Sequence, residues 1–145
     1  HFLMKQMLCQ MEKQGEGSIL NVASSAGLFP AGPYMATYYA TKSYVTSLTR
    51  AVALELKEKK SNVYVGALCP GPVDTEFNKV ANVEFAIPSI TPTYCAAYAI
   101  RKMEKRKIVI VPKNKMKVLA FISRVLPQSL VIRMTARQQK KKRNW

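Results

Sequence analysis

Apolar and polar positions along the chain alternate in blocks of changing period. In HFLMKQMLCQMEK, residues 1–13, Phe2, Leu3, Met7 and Met11 fall near one helical face. That spacing predicts a helix, ended by Gly-Glu-Gly at 15–17. The run SILNVAS, 18–24, is short and apolar with β-branched residues, and reads as a buried strand. SAGLFPAGP, 25–33, is a loop by its Gly and Pro content. From about Ala36 to Lys59, Val45, Leu48, Val52 and Leu56 recur at three- and four-residue steps, which predicts a long helix. NVYVGALC, 62–69, is a second apolar strand, PGPVDTEF a turn leading into a short helix, and KIVIVP, 107–112, a further strand.

Strand, long helix, strand is the βαβ pattern of an α/β protein with a parallel sheet and helices on both faces. Residues 1–112 form one such unit, and residues 113–145 a separate tail. Within the tail, Val118, Leu119, Ile122, Val125 and Leu126 share a helical face, and Pro127 divides the tail into two short basic amphipathic segments. Neither can cross a hydrocarbon core of about 30 Å. The chain opens on His1 partway into a helical pattern, without the basic leader of a signal peptide. It is therefore expected to be the C-terminal portion of a longer protein, with an incomplete sheet.

Composition changes the picture in two ways. Three cysteines, Cys9, Cys69 and Cys95, have no metal-ligand spacing, and His1 is the only histidine. A His-ligated metal site and a Ser/His/Asp triad have little to build on in that inventory, and the sparse thiols point to a reducing, cytoplasmic compartment. The net charge of +15 is also unevenly spread. Residues 1–90 carry eight Lys/Arg against seven Asp/Glu, whereas residues 91–145 carry fifteen against Glu104 alone. The basic character belongs to the C-terminal part. An apolar, basic segment suits the surface of an anionic membrane. The plain alternative is a solvated end, since RQQKKKRNW buries little. Nucleic acid is disfavoured, because no aromatic residues interleave the charges.

The chemistry concentrates at MATYYATKSY, 35–44, where Tyr38 and Lys42 are one helical turn apart. An ammonium beside a phenol favours the phenolate, which suits proton exchange with a carbonyl or alcohol. By composition alone about one such pair is expected, and Tyr98 with Lys102 is a second, so spacing by itself decides nothing. Location decides. A strand ending in NVASS precedes Tyr38, and a strand ending in CPGPVDT follows it. In parallel sheets, ligands bind beyond the carboxyl ends of the strands. Tyr98 and Lys102 lack such flanks and read as a surface pair. Tyr39 points away from Tyr38 around the helix and reads as packing or pocket wall, and Asn21 as structural.

Together, ILNVASSAG, YYATK and CPGPVDT, in that order and with nearly that spacing, resemble the short-chain dehydrogenase/reductase family. The match covers residues 1 to about 80 well and the rest loosely. The resemblance implies a Rossmann-like parallel sheet, a cofactor that is NAD or NADP, and hydride transfer to or from a carbonyl, as in a carbonyl reductase. By that resemblance Tyr38 is the proton donor. Lys42 tunes the phenol and bonds the nicotinamide ribose, and Ser24 holds the substrate oxygen. Pro70, Gly71 and Val73 line the nicotinamide, and Thr75 bonds its carboxamide or the phosphates. It also implies a homo-oligomer through the first helix and the Ala36–Lys59 helix. The apolar loop LFPAGPYM leans toward a hydrophobic substrate.

Two departures qualify the match. Ser24 lies fourteen residues before Tyr38 where thirteen is usual; Ser25 restores thirteen and is the fallback. No G-x-G-x-x-G occurs, so the Gly-rich phosphate loop is expected upstream of His1, and the 145 residues alone are not expected to turn over. A second reading is a non-catalytic relative acting as an interaction or membrane-surface module. The gene sequence upstream of His1 discriminates: a strand, a Gly-rich turn and an Asn favour the enzyme.

Overall fold

The computed structural model describes residues 1–76 and 88–143, with side chains to residue 140. Helix α1, Phe2–Gln14, ends where Gly15 takes the left-handed conformation, φ 82°. Strand β1, Ser18–Val22, and strand β2, Tyr64–Leu68, flank the 23-residue helix α2, Ala36–Glu58. One 3-10 turn, Ser25–Leu28, follows β1. Helix α3, Pro92–Glu104, leads to β3, Val109–Ile110. Helices α4, Asn114–Val125, and α5, Gln128–Arg143, complete the chain. The short helix expected after the CPGPVDT turn falls mostly outside the described residues.

The sheet is parallel throughout, in the order β1-β2-β3. Ser18 pairs with Tyr64 and Val22 with Leu68. The predicted strand 107–112 shrinks to two paired residues, Val109 and Ile110, opposite Ala67 and Leu68. Because side chains alternate along β2, its two faces build separate cores. Val65 packs with Met4, Leu56 and Val63 under α1 and α2. Leu68 packs with Cys95, Ala99 and Ile110 under α3. Helices thus cover both faces, the incomplete Rossmann-like arrangement expected.

Polar groups inside this core are bonded. Asn21 Nδ2 donates to Thr49 Oγ1 at 2.9 Å, and Thr49 itself donates to the Val45 carbonyl at 2.7 Å. Asn21 is therefore a structural tie between β1 and α2, as its position implied. At the carboxyl ends of the strands a third core cluster joins Ala23, Leu28, Ala67 and Cys69 to Val111, Met116 and Ala120. The first residues of α4 are thereby fixed against the sheet, and α4 with α5 forms a hairpin beside the strand ends.

The inner face of that hairpin differs from the apolar face read in the sequence. Met116, Ala120 and Ser123 are buried and Leu119 packs beside them, whereas Val118, Ile122 and Val125 of the face read in the sequence are 57, 42 and 72% exposed, as is Phe121 at 68%. The exchange works because Ser123 donates to the Ala120 carbonyl at 2.9 Å and Thr135 to the Val131 carbonyl at 2.8 Å. Both hydroxyls are satisfied within their own helices and enter the core at little cost. Among the described residues, no helix is long and apolar enough to cross a membrane.

Candidate active site

The parallel ladder continues past the strands and brings two loops together. Ala23 N–H donates to the Leu68 carbonyl at 2.9 Å, and Ser25 N–H to the Pro70 carbonyl at 2.7 Å. NVASS and CPGPVDT are therefore adjacent. Ser24, 8% exposed, caps the 3-10 turn, its Oγ accepting from Ala26 N–H at 3.1 Å. That bond uses a lone pair and leaves the hydroxyl hydrogen free to donate. The turn also seats on α2, because Gly27 lies against the Lys42 carbonyl and Thr46.

Tyr38 and Lys42 occupy the first two turns of α2, at the same edge. Lys42 Nζ donates to the Val22 carbonyl at 3.2 Å and lies 5.8 Å from the centroid of the Tyr38 ring. The ammonium is thus tied to the end of β1 over the face of the phenol, with two further hydrogens to give. Behind Ser24, Cys69 is fully buried, and burial pushes its thiol up, partly offset by the Thr46 hydroxyl 3.7 Å away.

A cavity of about 630 Å³ opens here. All the residues singled out in the sequence line it: Ser24, Ser25, Tyr38, Lys42, Pro70, Gly71, Val73 and Thr75. Tyr39 lines it too, as a wall residue should. The Tyr98 and Lys102 pair does not, although Lys117 Nζ donates to the Tyr98 hydroxyl at 2.9 Å and Lys102 lies 5.3 Å from its ring centroid. Of the two tyrosine–lysine pairs, the richer in ammonium contacts is the one outside the cavity. Among the described residues there is no group of three or more His, Cys, Asp or Glu able to hold a metal.

Comparison with known proteins fits this arrangement. The family described as short chain dehydrogenase matches residues 1–84. The chain belongs to that family. D-beta-hydroxybutyrate dehydrogenase of Rhizobium meliloti is 46% identical over 65 residues, which are 45% of this chain and 24% of that protein. Very-long-chain 3-oxoacyl-CoA reductase of Anas platyrhynchos is 26% identical over 130 residues, 90% of this chain and 40% of that protein. A solved 7beta-hydroxysteroid dehydrogenase shares the fold with a TM-score of 0.75 at 22% identity, covering 91% of this chain and 51% of that one. A short-chain dehydrogenase from Sphingobium yanoikuyae in complex with NADPH gives a TM-score of 0.63 at 24% identity, over 80% of this chain and 46% of that one. This short-chain dehydrogenase chain therefore spans well under half the length of the two curated relatives.

The sequence reading missed the other half of the cavity. Met116, Leu119, Leu126, Val131, Met134 and Gln139, all from the hairpin, line it as well. The signal was present in the amphipathic pattern of residues 114–139, but a pattern cannot say which cavity a helix closes.

Proposed function

We propose that the protein is an NAD(P)-dependent oxidoreductase that reduces a carbonyl, or oxidises the alcohol, on a hydrophobic substrate. The observation that carries this reading is the convergence of Ser24, Tyr38 and Lys42 with the Pro70–Thr75 turn on one cavity at the carboxyl ends of β1 and β2. The residues present fit a nicotinamide group. Pro70, Pro72 and Val73 offer an apolar wall, and at Gly71 a Cβ would stand 3.0 Å from the Met116 side chain, crowding the space a flat ring needs. Lys42 has hydrogens left for ribose hydroxyls, and Thr75 supplies a polar side chain at the rim. The cofactor, when bound, supplies the hydride.

The chain's own residues do the rest. Ser24 donates to the substrate oxygen and orients the carbonyl. Tyr38 gives its phenolic proton to that oxygen as charge develops there, and takes it back in the oxidative direction. The Lys42 ammonium stands beside the phenol and compensates the negative charge left on it. Ser24 is the partner chosen over Ser25 because its hydroxyl is buried at the end of the β1 ladder, while Ser25 already ties the two loops through its backbone. Ser24→Ala is expected to lower NAD(P)H-linked carbonyl reduction by about 10²-fold, and Ser25→Ala by much less. Steady-state rates of the two variants of the full-length gene product check this, and a reversed order assigns the role to Ser25. The 145-residue chain alone carries no Gly-rich phosphate loop, and we expect no turnover from it.

A second function rests on the outer face of the hairpin. Val118, Phe121 and Val125 form an exposed apolar stripe, and residues 113–145 carry ten Lys/Arg and no acid. We propose that this face meets an anionic membrane surface at the cytoplasmic side, and that the exposed apolar residues of α1 and α2, among them Phe2, Leu3, Tyr44 and Leu54, pair two copies. Sedimentation with and without phosphatidylserine vesicles reads both: a dimer alone, and pelleting that falls at least fivefold in Phe121→Ser/Val125→Ser. A monomer refutes the pairing, and unchanged pelleting of the double variant refutes the membrane face.

A further inference from the structure

Tyr39 lines the cavity from α2, and its ring is held on three sides. Gln139 Nε2, 100 residues away in sequence, donates to the Tyr39 hydroxyl at 2.9 Å. Gly32 lies so close that a Cβ there would overlap the ring. The Tyr38 ring meets it edge-on, with centroids 6.4 Å apart and planes at 72°. Gln139 is 3% exposed, although its neighbours Arg137, Gln138 and Lys140 are exposed. A glutamine buried to that degree has to be bonded to be tolerated. The next residue, Lys140, sets its ammonium 5.5 Å from the ring centroid of Tyr34, whose backbone is left-handed at φ 66°. Two consecutive residues of α5 thus grip the loop before α2 and the first turn of α2. Burial raises the Tyr39 phenol above its ordinary range, against the opposing pull of the Gln139 bond and with a smaller push from Tyr38. Tyr39 therefore stays protonated and keeps a lone pair for the amide.

The strand ends and α2 give the cavity polar Ser24, Tyr38 and Lys42, and the α4–α5 hairpin gives it apolar Leu119, Leu126, Val131 and Met134; the Tyr39–Gln139 bond joins the two walls. Resting on the oxidoreductase reading above, we infer that Gln139 is a specificity-determining positioning residue: through Tyr39 it ties the apolar hairpin wall to the helix that carries Tyr38, so that the cavity takes carbonyl compounds carrying a long or bulky apolar arm. With the bond gone, the Tyr39 ring turns into the cavity and α5 loses its hold on α2. The apolar end narrows, and the effect falls on affinity rather than on proton transfer.

The test is calorimetry of the full-length protein with 2-decanone and, as the short-armed control, 2-butanone. The unsubstituted protein binds 2-decanone the more tightly. Gln139→Leu, which keeps the volume, and Tyr39→Phe, which removes only the hydroxyl, each weaken 2-decanone by about three- to tenfold. The double variant weakens it no more than either single, because both remove the same bond. In the full-length enzyme Gln139→Leu raises the KM for 2-decanone by more than it lowers kcat. Additive losses, a change of less than twofold in Gln139→Leu, or no preference for the longer ketone overturns the inference. Calorimetry needs no turnover, so an inactive full-length protein would refute the oxidoreductase reading while leaving the role of the Tyr39–Gln139 tie in place.

Discussion

Tyr38→Phe is expected to lower NAD(P)H-linked carbonyl reduction by about 10²–10⁴-fold, with the melting temperature nearly unchanged. The substitution removes one oxygen. Tyr38 is half-buried, and no bond from its hydroxyl is among those that hold the described core together. The ring that remains still meets Tyr39 edge-on and still lies beneath the Lys42 ammonium. What disappears is the phenolic proton that Tyr38 brings to the cavity it lines together with Ser24 and Lys42. A general acid of this kind supplies a large part of the barrier reduction because it delivers the proton where charge develops. Single-turnover rates with NADPH in the full-length protein, with circular dichroism to certify the fold, measure both halves of the expectation. Activity within tenfold of the unsubstituted protein removes Tyr38 from the chemistry.

The same pair illustrates how far residues alone can be read. Tyr98 and Lys102 have the spacing of Tyr38 and Lys42, and in the folded chain they have the denser contacts. Only the placement of Tyr38 between two strand ends separated them, and that placement was legible because hydrophobic period changes from two kinds of run to a helix and back. Strands β1 and β2 and helices α1 and α2 followed from those periods, and the α2 stripe Val45, Leu48, Val52 and Leu56 is what the core buries; in α1, by contrast, Phe2, Leu3 and Met7 of the face read in the sequence are exposed, and Met4, Leu8 and Met11 pack inward. Three features were beyond reach for a common reason, which is that they depend on polar groups satisfied out of sight. Ser123, Thr135 and Gln139 are buried, two through bonds to their own helix and one through Tyr39. A pattern that counts apolar residues assigns such positions to the solvent side, so of the apolar face read over 118–126 only part turns inward: Leu119 and Leu126 line the cavity, while Val118 and Val125 are exposed. The closing of the cavity by α5 was invisible for the same reason.

Gly27→Ala is the second large effect, and it acts on geometry rather than on a reacting group. The 3-10 turn that carries Ser24 rests on α2 at this glycine. An added Cβ would overlap the Lys42 carbonyl and stand 2.6 Å from Thr46 Oγ1. Neither neighbour can retreat cheaply. The carbonyl is backbone within a helix, and it accepts from Thr46 Oγ1 at 2.8 Å. Overpacking of this kind costs about 1–3 kcal/mol, or several degrees in melting temperature for a domain of this size. Relief comes from lifting the turn away from α2, which carries Ser24 away from Tyr38 and disturbs the carbonyl of the very residue whose ammonium stands over the phenol. A misplacement of about 1 Å at a reacting centre is enough to cost about 10²-fold in rate. Gly27→Ala is therefore expected to lose activity out of proportion to its stability, remaining folded at 25 °C while its carbonyl reduction falls by about that factor. Thermal melts and NADPH oxidation by the same preparation measure the two losses side by side. If both stay at the unsubstituted level, the turn is not seated on α2 as described; if stability alone falls, the seating of the turn does not control the distance between Ser24 and Tyr38.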